Sequence, residues 1–325
     1  MSRKYHRILV AGGAGFIGSH IVETLLETGA EVTVLDNLST GRMSNLKGCI
    51  RNKRFHFVRG DVRNARHVKA AVKNADAVFN DAAVVSVRLS IDDPMLTNEV
   101  NVSGALNLLR ASTDSQVRRL VQASSASVYG DAKKLPIAED AVPNPLSPYA
   151  VSELAAERYA QAFHKTYGLE TVCLRYFNVY GPRQSYNPYT GAITLFINQL
   201  LNNEPVTIFG DGKQTRDFVY VEDVASANVL ALTRREAVGE VFNIATGAGT
   251  SVNTLVKTLG KLVDSARTKP LHTKPKPGEI KHSVASIEKA RRILGYKPIF
   301  TMDSGLEQLV RWYASKSIHP SQRKE

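Results

Sequence analysis

One stretch, Ile8 to Asp36, limits what this chain can fold into more than any other. Ile8-Leu9-Val10-Ala11 is an apolar run of the length of a buried strand. Gly12-Gly13-Ala14-Gly15-Phe16-Ile17-Gly18 follows at once, and helical spacing then runs through Ile21, Val22, Leu25 and Leu26 to Gly29. A second strand, Glu31 to Leu35, ends in Asp36. Strand, glycine loop, helix and acid-tipped strand together make a dinucleotide-binding fingerprint. Gly12, Gly15 and Gly18 allow a tight turn and bring backbone N–H groups close to a pyrophosphate, and the helix N-terminus adds partial positive charge. Asp36 is placed to accept hydrogen bonds from the adenine-ribose hydroxyls, which favours NAD over NADP. The competing reading is a glycine-rich turn that holds nothing. The agreement of both strands, the helix and the acid argues against it.

The alternation continues downstream. Phe55–Val58, Asp76–Phe79, Leu120–Ala123 and Thr171–Arg175 read as strands, separated by helical patterns at Val68–Val72, after Pro94, and at Tyr149–Tyr167. Strand alternating with helix predicts an α/β fold, a Rossmann-type doubly wound parallel sheet with right-handed crossovers. Beyond Pro182 the segments shorten and turns such as Gly210-Asp211-Gly212 become frequent. This predicts an NAD-binding domain over residues 1–181, with parts of the later chain returning to it. Residues 182–325 then form mainly a smaller α/β C-terminal lobe for the substrate.

Composition removes several other classes. A chain of 325 residues with 43% hydrophobic residues can bury a full core. No apolar run reaches about 18 residues, which predicts no membrane span. Met1–Arg7 is polar and basic with no apolar region of a secretory signal after it. Cys49 and Cys173 have neither metal nor disulfide spacing and suit a reducing cytoplasm, and no metal site is expected. The net charge of +12 could serve nucleic acid or anionic small molecules. The basic residues are scattered and carry no aromatic interleaving, so no nucleic-acid partner is expected.

Six stretches together carry a resemblance. They are Gly12–Gly18, Ser124-Ser125-Ala126-Ser127-Val128-Tyr129-Gly130, Ser147-Pro148-Tyr149-Ala150-Val151-Ser152, Leu174–Arg183, Thr215–Asp223 and Lys276-Pro277-Gly278-Glu279. In this order and spacing the chain resembles the extended short-chain dehydrogenase/reductase family. Within it the likeness is to the NAD-dependent nucleotide-sugar epimerase/dehydratase group, and most to UDP-glucose 4-epimerase-like enzymes. The resemblance implies an isomerase of carbohydrate metabolism that takes a UDP-hexose, UDP-glucose or UDP-galactose, through a 4-keto intermediate. It implies NAD contacts at Gly12, Gly15, Phe16, Ile17, Gly18, Asp36, Asn37, Leu38, Ser39, Thr40, Gly41, Asp61, Val62, Ala82, Ala83, Asn101, Tyr149, Glu153 and Tyr176. Ser125 would hold the sugar 4-hydroxyl and Tyr149 would take its proton. Ser86, Ser125, Tyr149, Asn178, Phe209, Arg216, Lys276, Glu279 and Ser283 would line the nucleotide sugar, with Arg216 as a diphosphate clamp. A small residue at Ser283, at the position that gates N-acetyl groups, implies room for a 2-acetamido sugar. A homodimer through the helices at Asn101–Ala111 and Tyr149–Tyr167 is also implied. Sugar 4,6-dehydratases carry an Asp-Glu pair where this chain has Ala126 and Ser127, which argues against dehydration.

Read as residues alone, Ser125 could be a strand-end turn residue and Tyr149 a packing residue at a helix start. Yet a serine at a strand's carboxyl end beside a helix starting with a tyrosine lies where open α/β sheets bind ligands. A tyrosine, of ordinary pKa about 10, is a poor base at neutral pH unless its anion is stabilised.

Two departures from the family pattern change the expected chemistry. Four residues after the tyrosine, one turn on along the same helix face, the family has a lysine and this chain has Glu153. A unit charge about 6 Å from the phenol, at an effective dielectric of about 20, shifts its pKa by roughly 2 units. Reversing that charge predicts a protonated Tyr149 and a weak base, with catalysis impaired where NAD binding survives. A catalytically silent homologue that binds NAD and a nucleotide sugar is therefore the alternative reading. Glu153 could also be a solvated helix residue. The second departure is Asn80-Asp81-Ala82-Ala83, where the family usually has an apolar residue in place of Asp81. Asp81 must be protonated or paired beside a dinucleotide, or else cap a nearby turn.

Overall fold

The structure is a computed structural model that describes residues 5–185, 191–263, 269–275 and 280–317. Seven strands form one sheet: β1 Arg7–Ala11, β2 Glu31–Asp36, β3 Phe55–Arg59, β4 Ala77–Asn80, β5 Arg119–Ser125, β6 Glu170–Tyr176 and β7 Val241–Ile244. Their order across the sheet is β7-β6-β5-β4-β1-β2-β3, and every pair is parallel. The α/β, Rossmann-type sheet expected from the alternating pattern is present. Parallel strands are covered on both faces, so their interiors read as continuous Val, Leu and Ile. Val10, Val32, Val34 and Phe79 pack to one side with Ile21, Val22 and Leu25 of helix α1, Phe16–Glu27. Leu9, Leu35, Val78 and Leu120 pack to the other with Leu108 and Leu109 of helix α2, Gly104–Asp114. Each such fully buried side chain contributes roughly 1.5–3 kcal/mol.

Strand order reverses between β1 and β4, because the chain leaves β1 toward β2 and β3 and returns on the other side at β4. Loops leaving the carboxyl ends of β1 and β4 therefore part and open a crevice there. The later chain returns to this sheet through β7, whose Val241–Ile244 pairs with Cys173–Tyr176. A third apolar cluster, with Phe196, Ile197, Leu255 and Leu306, lies outside the sheet and organises the later residues.

Helix α3, Pro148–Tyr167, starts sharply for identifiable reasons. The Ser147 hydroxyl accepts the Ala150 N–H at 3.2 Å, and Pro148 occupies the first turn. Gly168, at φ +72°, ends it in the left-handed conformation. The start fixes Tyr149 in the first turn, next to the carboxyl end of β5. Between Pro94–Asn98 and α2 the expected long helix widens into a π turn over Glu99–Ser103. Among the described residues no helix is long and apolar enough to cross a membrane.

Candidate active site

The crevice has two halves. On the β1–β2 side, Gly12 turns at φ +78°, and a Cβ there would meet the backbone of Ala82 at 2.6 Å and of Asp81 at 2.7 Å. A Cβ on Gly18 would meet Gly13 Cα at 2.9 Å. Loop, α1 and the chain leaving β4 are thus in backbone contact, which only glycine permits. Gly15 caps α1 with no side chain, so the N–H groups of its first turn are left to an anion. Asp36, 8% exposed, accepts from Ala14 N–H at 2.9 Å and Leu38 N–H at 2.8 Å. Burial raises its pKa, and these two backbone N–H groups oppose the rise. Each carboxylate oxygen retains a lone pair for a ribose hydroxyl.

Asn37 reaches from there to Asp61, donating at 3.0 Å, and its own side-chain oxygen accepts from Ser39 N–H. Asp61 is held well below the usual carboxylate range, chiefly by its hydrogen bonds from Arg63. Thr40 and Gly41 complete the loop, and Gly41 lies against the Asp36 carboxylate. Val62 is buried against Gly104 of α2. The predicted adenosine contacts therefore gather around the end of β2. The second nucleotide of a dinucleotide held here would be met by the residues at the carboxyl ends of β4, β5 and β6.

That second half gathers Ser125, Tyr149, Glu153, Tyr176, Asp81 and Asn101. Strand register sets two of them side by side, since Ser125 is paired with Tyr176 at the ends of β5 and β6. The Ser125 hydroxyl hydrogen-bonds to the Tyr149 phenol and also accepts Ser127 N–H at 3.1 Å. Glu153 is 6% exposed, which overturns the reading as a solvated helix residue. Asn101, on the π turn, donates to Ser152 Oγ at 2.9 Å and, at 3.5 Å, to Glu153 Oε1. Tyr176 hydroxyl accepts from Asn228 at 2.9 Å and hydrogen-bonds to Asp81. Asp81 Oδ2 is buried with no hydrogen-bond partner among the described residues. Asp81 therefore caps no turn, and its carboxyl faces this cluster instead. Ala82 and Ala83, both half-buried, follow it, with the Ala82 backbone against Gly12.

The electrostatics correct one expectation from the sequence. Burial pushes the Glu153 carboxyl up to about 8, with the charges of Asp81 and Glu157 adding to it. Burial likewise pushes Asp81 up to about 7, opposed by its hydrogen bond from Tyr176. A carboxyl with such a pKa is mainly protonated at neutral pH, so Glu153 is not the fixed negative charge that its position suggested. Burial still raises the Tyr149 phenol far above its ordinary value, and Glu153 adds to that rise. A second buried acid, Glu157, stands one turn further along α3. Glu157 is held by a buried fork from Arg175, at 2.6 and 2.8 Å, and by Ser124 Oγ at 3.0 Å. Arg175 also donates to the Tyr129 hydroxyl at 2.7 Å. This pair pins α3 to β6 beneath the site. An arginine inside the otherwise apolar run Val172–Tyr176 was the sequence signal for it, and spacing alone did not find it.

The substrate residues lie farther along. Asn178 is paired with Phe218 in a short parallel bridge and donates from its side chain to Asp217 O at 3.3 Å. Arg216 and Ser283 face each other in a short parallel bridge, and Arg216 donates to Thr215 O at 2.9 Å. Phe209 ends a short strand over Thr207–Phe209. Ser86 is used as a helix cap, accepting Leu89 N–H at 3.1 Å. Lys276 and Glu279 lie outside the described residues. Ala126 and Ser127 stand in a turn directly after Ser125 and bring no acid to the site.

Comparison with known proteins agrees with this geometry. Residues 8–245 match the model of the NAD dependent epimerase/dehydratase family. A relative from Methanocaldococcus jannaschii is 41% identical over 94% of this chain and 97% of its own length. The crystal structure of UDP-glucose 4-epimerase from Thermotoga maritima with UDP-glucose superposes with TM-score 0.90. It is 37% identical, over 96% of this chain and 100% of that one. A UDP-N-acetylglucosamine 4-epimerase from Methanobrevibacter ruminantium, in complex with UDP-N-acetylmuramic acid, has TM-score 0.92 and 36% identity. It covers 96% of this chain and 99% of its own. With the crevice, the acid at the end of β2 and the serine–tyrosine pair at the ends of β5 and α3, the chain belongs to the NAD-dependent epimerase/dehydratase family, whose cofactor is NAD.

Proposed function

We propose that this chain epimerises a UDP-hexose at C4, interconverting UDP-glucose and UDP-galactose and accepting their N-acetyl forms. The observation that carries the reading is the Ser125–Tyr149 hydrogen bond at the carboxyl edge of the sheet, opposite the Asp36 half of the crevice. Asp36, Asn37, Asp61 and the first turn of α1 would hold the adenosine and pyrophosphate of NAD, and Asn101, Tyr149, Glu153 and Tyr176 its other half. When bound, NAD supplies the hydride acceptor at C4 and the donor that restores it. Ser125 orients the sugar 4-hydroxyl, and Tyr149 receives its proton. Asn178, Phe209, Arg216 and Ser283 would hold the nucleotide diphosphate and the sugar in the later lobe, and the family resemblance adds Lys276 and Glu279 to that role. The small Ser283 next to Arg216 supports room for a 2-acetamido group.

A homodimer suits the surface. Val87, Ile91 and Met95 are exposed at four-residue spacing on helices that pack against α3, which itself exposes Val151 and Tyr159. Free, buried Cys49 and Cys173 suit a reducing cytoplasm. One observation favours a second reading, a silent binder of NAD and nucleotide sugar: Tyr149 has a carboxyl, and no cation, one turn away. Incubation of the purified protein with UDP-glucose, UDP-galactose and their N-acetyl analogues, with products resolved, separates the two. Interconversion within an epimer pair is the expected result. Bound NAD with no new sugar under any condition would establish the silent reading.

A further inference from the structure

We propose that Glu153, paired with the half-buried Asp81, is the proton acceptor for Tyr149, so that Tyr149 relays the substrate proton and is never a free tyrosinate. This rests on the epimerase reading above. Glu153 follows Tyr149 by one turn of α3 on the same face. Asp81 enters from the end of β4 with Oδ2 buried and unpartnered among the described residues, so the cluster has an open acceptor position. Asn101 Nδ2 holds Glu153 Oε1, and Tyr176 holds Asp81. Among the described residues no cation faces the pair directly. Around Glu153 stand Tyr149 and Glu157 from α3, Asp81 from the end of β4, Tyr176 from β6 and the neutral Asn101; Arg175 is already engaged by Glu157.

The step balances. The C4–H electron pair leaves as the hydride of the proposed reaction. The O4–H bond breaks, its proton passes to Tyr149 Oη, and the Tyr149 proton passes to a Glu153 oxygen while the O4 electrons close the carbonyl. The return step runs each transfer backwards and restores the Glu153 carboxylate. A carboxyl raised toward neutrality is a better-matched acceptor at working pH than a phenol raised far above it. The pair titrates together, so its apparent pKa values belong to both residues.

A charge that only obstructs Tyr149 and a carboxylate that accepts its proton predict opposite signs for Glu153→Gln. Acceptance of the proton predicts that this variant loses at least about 100-fold in kcat at pH 8.5, with KM and NAD affinity within about threefold. Turnover of the unmodified protein rises with pH through the titration of the pair. Asp81→Asn, which removes the neighbouring charge, moves that rise to lower pH, a change that a structural role would not make. In the protein without added sugar, infrared bands of protonated carboxyls are lost between about pH 6 and pH 9, and Glu153→Gln removes the Glu153 part of that loss, leaving the part due to Asp81. Glu153→Gln turning over as fast as the unmodified protein overturns the relay and leaves the epimerase reading standing. Turnover in Glu153→Lys but none in the unmodified protein at pH 8.5 overturns the relay and favours the silent reading of the unmodified chain. No turnover in either overturns the epimerase reading as well.

Discussion

The two halves of the crevice are built on opposite principles. Around Asp36 the acidic and amide side chains are partnered: the carboxylate takes two backbone N–H groups, Asn37 ties to Asp61, and Asp61 is held by Arg63. Around Glu153 the groups are buried or half-buried and incompletely satisfied, with Asp81 Oδ2 left open among the described residues and two acids facing each other at the end of β4. A hydrogen-bonded anion stays ionised and serves as a fixed contact. A desolvated pair instead keeps a proton that it can exchange. The comparison teaches that the binding half of this crevice is rigid in charge, and the half beside Tyr149 is adjustable.

The largest effect expected is on the rigid half. Gly12→Ala drives a Cβ into the Ala82 backbone at a left-handed φ, and NAD affinity should fall by at least about 100-fold, read by calorimetry with circular dichroism as a folding control. Affinity kept within tenfold would mean that the crevice between β1 and β4 does not hold the cofactor. Next comes Asp36→Ala, which removes a charged acceptor and should weaken NAD by roughly tenfold or somewhat more. An unchanged Kd would break the assignment of the adenosine side.

The smallest effect tests the adjustable half without any ligand. Asp81 and Glu153 titrate higher in the fold than in an unfolded chain, so the folded state binds more protons between the two values. Their stabilising contribution is complete below the unfolded pKa of about 4 and is lost as pH rises through about 7 and about 8. The apo protein should therefore melt at least about 4 °C lower at pH 9 than at pH 6. The double variant Asp81→Asn, Glu153→Gln should flatten that slope, and an equal slope in both proteins would show that the pair is not buried together.

How much of this was legible in the sequence follows the same division. The glycine loop, α1, β2 and Asp36 are contiguous, so local spacing carries them whole. The position of Glu153 was legible, but its charge was not, because its burial and its neighbour Asp81 come from strand order, which joins distant segments. The π turn that aims Asn101 at Glu153 replaces an ordinary helix whose apolar spacing looks the same over so short a stretch. Arg175 and Glu157 were missed as a pair although both lie in quoted segments, since a charge in a central strand is explained only once its partner helix is placed.

The central claim is that the proton chemistry of Tyr149 is set by Glu153, and a rate comparison at pH 7 tests it most directly. Glu153→Lys places a cation where the carboxyl is now protonated, and UDP-galactose epimerisation should rise at least about tenfold over the unmodified chain. Equal rates at pH 7 would contradict the account, because Tyr149 would then be activated by something other than the residue one turn away.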